Sequence, residues 1–92
     1  MAQIIIYTKA NCAYCEFAKK FLKSKNLSFD EIRVDLDPDK LAEMEQRSQR
    51  RTVPQIFINN QSIGGYDDLM KLSQSNELQQ LLNSNLQEGK SS

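Results

Sequence analysis

The sequence predicts an α/β domain in which a four-stranded mixed sheet is flanked by helices in the order β-α-β-α-β-β-α. Three observations predict it. An uninterrupted apolar run, Ile4-Ile5-Ile6-Tyr7, leads into a segment of helical periodicity; residues 29–36 then alternate polar and apolar; and a second apolar run, Gln55-Ile56-Phe57-Ile58, is followed by Asn59-Asn60 and a further short strand. A chain of 92 residues supports one domain with a modest core. Residues 1–86 are expected to form it, with polar residues 87–92 as a disordered tail.

Gln3 to Thr8, with its three isoleucines, suits a central strand covered on both faces. From Cys12 to Asn26, Phe17, Ala18, Phe21 and Leu22 recur at helical spacing and are expected in the core, while Glu16, Lys19, Lys20, Lys23 and Lys25 take the other face. The lysines crowd the end where a helix dipole favours cations, and Asn26 can take the left-handed conformation that closes a helix. Between Phe29 and Leu36, the residues Ile32, Val34 and Leu36 fall on one side of an outer strand. Asp37-Pro38 reads as N-cap and first helical position, with Leu41, Met44 and Ser48 as the buried stripe of a second helix. A right-handed crossover through the first helix makes the first two strands parallel.

Thr52-Val53-Pro54 opens the third strand, with proline at an entry that needs no ladder donor. Asn59-Asn60 tolerates positive φ and predicts a hairpin to a fourth strand, Gln61 to Ile63. Gly64-Gly65 breaks that strand and opens a third helix over Asp67 to Leu72. After an interruption at Ser73 to Asn76, a last helix carries Leu78, Leu81 and Leu82.

Lysine plus arginine and aspartate plus glutamate number 12 each, so no global field favours nucleic acid or an anionic membrane. No run approaches the roughly 20 apolar residues of a membrane span, and a first strand beginning at Gln3 leaves no room for a targeting peptide. The expectation is a soluble cytoplasmic monomer whose partners are small molecules or proteins, with its cysteines reduced at rest.

Cys12-Ala13-Tyr14-Cys15 carries the chemistry. Two thiols at this spacing, one at a strand end and one a turn into a helix, can close a disulfide and reopen it. The unpaired N–H groups and positive dipole end of the helix favour a thiolate on Cys12, and Lys9 adds positive charge nearby. A thiolate is the attacking species in disulfide exchange. Zinc usually wants four ligands, and the chain has no third cysteine and no histidine. A purely structural disulfide over so short a loop would remove little unfolded-state entropy. Taken alone, Gly64-Gly65 reads equally as a turn, Asp67 as a helix cap, Pro54 as a strand starter, and Arg50 and Arg51 as solvated charges.

Together, the Cys-x-Tyr-Cys motif after the first strand, Thr52-Val53-Pro54 before the third and Gly64-Gly65-Tyr66-Asp67-Asp68 after the fourth make the chain resemble a dithiol glutaredoxin of the small bacterial type, from about Ile4 to Leu82. The resemblance implies a thioredoxin-like fold and a thiol–disulfide oxidoreductase that uses glutathione as reducing co-substrate, with no permanently bound cofactor. Its substrates would be protein disulfides and glutathionylated molecules. It implies Cys12 as nucleophile and Cys15 as resolving thiol. It further implies that Val53 pairs with glutathione's cysteine beside a cis bond to Pro54, and that Gly65, Tyr66 and Asp67 receive the γ-glutamyl end. Lys9, helped by Arg47 or Arg51, would face the glycyl carboxylate, with Tyr14 flanking the groove and Thr52 supporting its wall.

The chain departs from the usual pattern in having Ala13 where proline is common, Tyr66 where cysteine is frequent and Gln49 where glycine usually ends the second helix. Because alanine, unlike proline, keeps its N–H, Ala13 is expected to place a donor close to the Cys12 sulfur. A second function class stays open, a [2Fe–2S] binding and transfer module bridged by two glutathiones between two copies. A third is a thioredoxin-like reductant served by a flavoenzyme, against which Gly65-Tyr66-Asp67 argues.

Overall fold

The computed structural model describes residues 2–83; the expected tail at 87–92 and the last residues of the expected domain, 84–86, lie outside the described residues. The elements are β1 (Ile4–Thr8), α1 (Ala13–Ser24), β2 (Asp30–Arg33), α2 (Pro38–Ser48), β3 (Gln55–Ile58), β4 (Gln61–Gly64) and α3 (Tyr66–Gln74), and residues 77–83 are again helical. The sheet order is β2-β1-β3-β4, with β1 parallel to β2 and antiparallel to β3, and β3 antiparallel to β4. This is the mixed sheet the sequence predicts. β1 is central and β2 is an edge.

Strand alternation distributes the core to two faces. Ile4 and Ile6 of β1 join Ile56 and Ile58 of β3 against Ala18 and Leu22 of α1 and Leu69 of α3. On the opposite face Tyr7 and Phe57 meet Met44 of α2 and Val34. The Tyr7 and Phe57 rings touch edge to face, 5.6 Å between centroids. Tyr7 is fully buried, as its place in the apolar run implies, and its hydroxyl donates to Glu43 and accepts from Arg47 Nη1 at 3.0 Å. Burial, and then the bond to Glu43, raise the Tyr7 pKa above the ordinary 10.0.

Three expectations about side chains are corrected. Phe17 is 47% exposed rather than in the core, because the buried stripe of α1 runs through Cys15, Ala18 and Leu22 and leaves Phe17 beside it. Leu36 is 72% exposed, because β2 ends at Arg33 and the chain turns, with the Leu36 N–H donating back to the Arg33 carbonyl at 3.3 Å. Lys19 is not simply solvated: it reaches Glu16 at 3.0 Å and Glu31 at 2.9 Å, and Glu31 also accepts from the buried Thr8 hydroxyl at 2.7 Å. The bond from Thr8, followed by that from Lys19, lowers the Glu31 pKa.

Asp37 caps α2 by accepting from the Asp39 N–H at 3.0 Å, and Asn26, Asn59 and Asn60 all take positive φ. Gln49 closes α2 at φ 61°, a left-handed position where a side chain costs about 1–2 kcal/mol. Gln49→Gly relieves that cost but adds roughly 0.5–1 kcal/mol of backbone entropy on folding. A net gain of about 0.5 kcal/mol in urea denaturation is expected.

Candidate active site

The loop between β1 and α1 is held from the side. Arg33 clamps Asp35 through two bonds of 2.7 and 2.6 Å, and Asp35 Oδ2 accepts from the Ala10 N–H at 3.2 Å, two residues before Cys12. Arg33, and after it the Ala10 N–H, pull the Asp35 pKa well below the usual carboxylate range. Asn11 turns the loop at φ 57°, a conformation asparagine tolerates.

Cys12 is the N-cap of α1, at φ −118° and ψ 105°, and its sulfur accepts from the Cys15 N–H at 3.1 Å. The donor observed at the Cys12 sulfur is not the expected Ala13 N–H but that of Cys15, at the third helical position, where an N-cap side chain finds its partner. Cys12 and Cys15 are bonded sulfur to sulfur, with Cα atoms 5.2 Å apart. Their burial differs. Cys15 is fully buried while Cys12 remains partly open to solvent, so only Cys12 can be reached by an incoming sulfur.

A groove of about 180 Å³ lies alongside, lined by Tyr14, Arg50, Thr52, Val53, Pro54, Gln55, Gly65, Tyr66 and Asp67. The Val53-Pro54 bond is cis, and the Val53 carbonyl oxygen lies 4.0 Å from the Cys12 sulfur. Of the residues singled out in the sequence, Tyr14, Thr52, Val53, Pro54, Gly65, Tyr66 and Asp67 share this groove. Lys9 is exposed and does not line it. Arg47 turns inward, its guanidinium 4.3 Å from the Phe57 ring centroid, and Arg51 lines a separate hollow over the end of α2. The cation on the groove is Arg50, which the sequence reading left as a solvated charge.

Arg50 is fixed by Asp68, the second partner the sequence did not reveal. Asp68 Oδ2 accepts from Arg50 Nη1 at 3.0 Å and from the Gly65 N–H at 2.9 Å. The carboxylate thus caps α3 at its third residue, with glycine at the N-cap offering no side chain in return. Because the Gly65 N–H is occupied, the N–H groups left for a ligand at this terminus are those of Tyr66, Asp67 and Asp68. Gly65 also packs against the strand entry, where a Cβ would sit 3.2 Å from the Pro54 carbonyl.

The Gly65 N–H, and next Arg50, lower the Asp68 pKa below its ordinary 3.8. A depressed carboxylate contributes stability in full above the unfolded value, and loses it as pH falls through the folded one. The stability difference between the native protein and Asp68→Asn is therefore expected to stay level from pH 7 down to about 5 and to shrink on further acidification. Urea denaturation across that range measures it.

Buried Gln55 donates through Nε2 to the Thr52 carbonyl at 2.9 Å and to the Thr52 hydroxyl at 3.3 Å, holding the turn before the cis bond. Among the described residues no helix is long and apolar enough to cross a membrane, and no three metal-ligating side chains come together.

Comparison with known proteins gives one answer. The family model described as Glutaredoxin matches residues 4–63. The chain is 51% identical over 82 residues to Glutaredoxin 3 of Escherichia coli (strain K12), covering 89% of this chain and 99% of that one. The solution structure of glutaredoxin from Brucella melitensis superposes with a TM-score of 0.80 at 44% identity, covering 92% of each chain. A crystal structure of a buckwheat glutaredoxin–glutathione complex gives a TM-score of 0.79 at 28% identity, over 88% of this chain and 76% of that one.

Proposed function

The chain belongs to the glutaredoxin family, glutathione-dependent disulfide oxidoreductases of thioredoxin-like fold, and from that premise we propose that it reduces protein disulfides and glutathione mixed disulfides in the cytoplasm through Cys12 and Cys15. One observation carries the reading. The partly open sulfur of Cys12 lies against the Val53 carbonyl, at the head of a groove whose far wall is the N-terminus of α3.

In the reduced protein the Cys12 thiolate, held by the Cys15 N–H and the dipole of α1, attacks a substrate sulfur and expels the other as thiolate. With a protein disulfide, Cys15 then displaces the substrate from Cys12 and the pair closes. Two electrons have passed to the substrate. Glutathione reopens the pair by attack on the Cys12 sulfur, and a second glutathione releases the first as oxidised glutathione.

The groove suits a short extended peptide. The Val53 backbone offers strand-like pairing to the cysteinyl unit, and the Tyr66 and Asp67 N–H groups receive the γ-glutamyl carboxylate, with the Asp67 side chain near its ammonium. Arg50, rather than Lys9, is the cation within the groove for a ligand carboxylate. Tyr14, Thr52, Pro54, Gly65 and Tyr66 complete the lining around the ligand. No observation favours the cluster-carrying alternative over disulfide reduction.

Asp67→Ala tests the glutathione reading. Loss of a charge-assisted contact is expected to raise the KM for glutathione roughly tenfold, with denaturation midpoints within error of the native protein. Unchanged saturation by glutathione would remove Asp67 from the site.

A further inference from the structure

We infer that the exposed rings of Tyr14 and Phe17, together with the half-buried ring of Tyr66, form a docking surface for an apolar side chain of the polypeptide that carries the substrate disulfide, two or three residues from its cysteine. The inference rests on the reading of this chain as a reductase of protein disulfides, and it names what such substrates offer beside their sulfur.

Phe17 has no part in the core or in the groove, yet it is not isolated. Its ring lies 5.9 Å from that of Tyr14 at 78° and 5.9 Å from that of Tyr66 at 51°, and the two tyrosines are stacked at 5.9 Å and 28°. Tyr14 is 58% exposed and Phe17 47%. The cluster therefore presents ring faces and edges together, the geometry that receives a further aromatic or aliphatic group. Its place matters as much. Phe17 lies five positions beyond Cys12, about 7–8 Å of helix rise, a distance an extended chain covers in two or three residues.

Leu36, the remaining large hydrophobic exposed among the described residues, follows Asp35, whose carboxylate holds the Ala10 N–H on the other flank of the Cys12 loop. Tyr14 and Phe17, two of the three large exposed apolar side chains among the described residues, thus lie within five positions of Cys12. A second copy of this chain is the weaker occupant. Three aromatic side chains of about 150–250 Å² each, only partly exposed, supply a few hundred Å², whereas stable dimers bury upwards of roughly 1,200 Å² in total. A surface of that size fits a partner held briefly while its sulfur reacts.

The test omits glutathione. Reduced protein is mixed in single turnover with two synthetic peptides, Phe-Gly-Cys-Gly-Phe and Ser-Gly-Cys-Gly-Ser, each cysteine disulfide-linked to 2-mercaptoethanol. The Cys12–Cys15 dithiol gives two electrons, its own disulfide forms, and peptide thiol and 2-mercaptoethanol are released. The phenylalanine peptide is expected to react about five- to tenfold faster. Phe17→Ala should erase that preference while leaving the serine peptide and bis(2-hydroxyethyl) disulfide within about twofold, and Phe17→Leu should keep most of it. Equal rates for the two peptides, or a Phe17→Ala loss shared by all three substrates, would overturn the inference. So would a Phe17-dependent dimer in size-exclusion chromatography. A peptide preference in a protein that glutathione fails to re-reduce would leave the docking surface standing and remove the glutathione reading instead.

Discussion

Cys12→Ser is expected to lose turnover on every substrate, by a factor on the order of 1,000 or more, because serine at that position is neither ionised near neutral pH nor able to form the mixed disulfide. Cys15→Ser is expected to behave differently. It should retain a substantial share of the rate at which glutathione is removed from mixed disulfides, and lose most activity on protein disulfides, because only the latter route needs an internal thiol to release the bound protein. The asymmetry follows from burial and capping. Cys15 is fully buried in the first turn of α1, while Cys12 is the N-cap whose sulfur receives the Cys15 N–H. Separate assays with a glutathionylated peptide and a protein disulfide check both halves. Equal activity of the two serine variants on the glutathionylated peptide would contradict the assignment.

The second large effect is expected at Gly64, where φ is +101° and an added Cβ would lie 2.2 Å from Asp68 Oδ2 and 3.0 Å from Arg50 Nη1. Gly64→Ala meets two costs at once. The backbone region is one that side chains rarely occupy, at about 1–3 kcal/mol, and the clash displaces the carboxylate that caps Gly65 and holds Arg50, at about 0.5–2 kcal/mol more. A loss of about 2–4 kcal/mol is expected in urea denaturation. Arg50 and the start of α3 line the groove together, so the KM for glutathione should rise severalfold as well. A variant as stable as the native protein would show that the cap is not what fixes this turn.

Much of this architecture is legible in the residues. The isoleucine run names the central strand, Asp37-Pro38 starts α2, and Asn59-Asn60 makes the hairpin, with φ of 51° and 69°. The cysteine spacing names the redox pair. What periodicity conceals is where a buried stripe stops. Phe17 and Phe21 both sit at helical spacing, but the angular edge of the α1 stripe falls between them, so Phe17 emerges half exposed while Phe21 packs against the core. Leu36 continues the alternation of β2 past the point where the strand has ended.

The charged partners were hidden for another reason. Arg47, Arg50 and Arg51 look alike in sequence, and the fold sends them to Phe57, to Asp68 and to the outer hollow respectively. Asp67 and Asp68 are adjacent and chemically identical. The helix turn alone decides that Asp67 faces the groove while Asp68 folds back on Gly65. Such choices depend on contacts 18 residues apart in sequence, as between Arg50 and Asp68, which no local pattern encodes.

The central claim is that Cys12 is the sulfur that exchanges with glutathione. Intact mass spectrometry of reduced Cys15→Ser after incubation with oxidised glutathione, followed by peptide mapping, addresses it directly. The account predicts one glutathione per chain, bonded to Cys12 and released by added reduced glutathione. An unmodified chain under conditions that glutathionylate a free-cysteine peptide would contradict it.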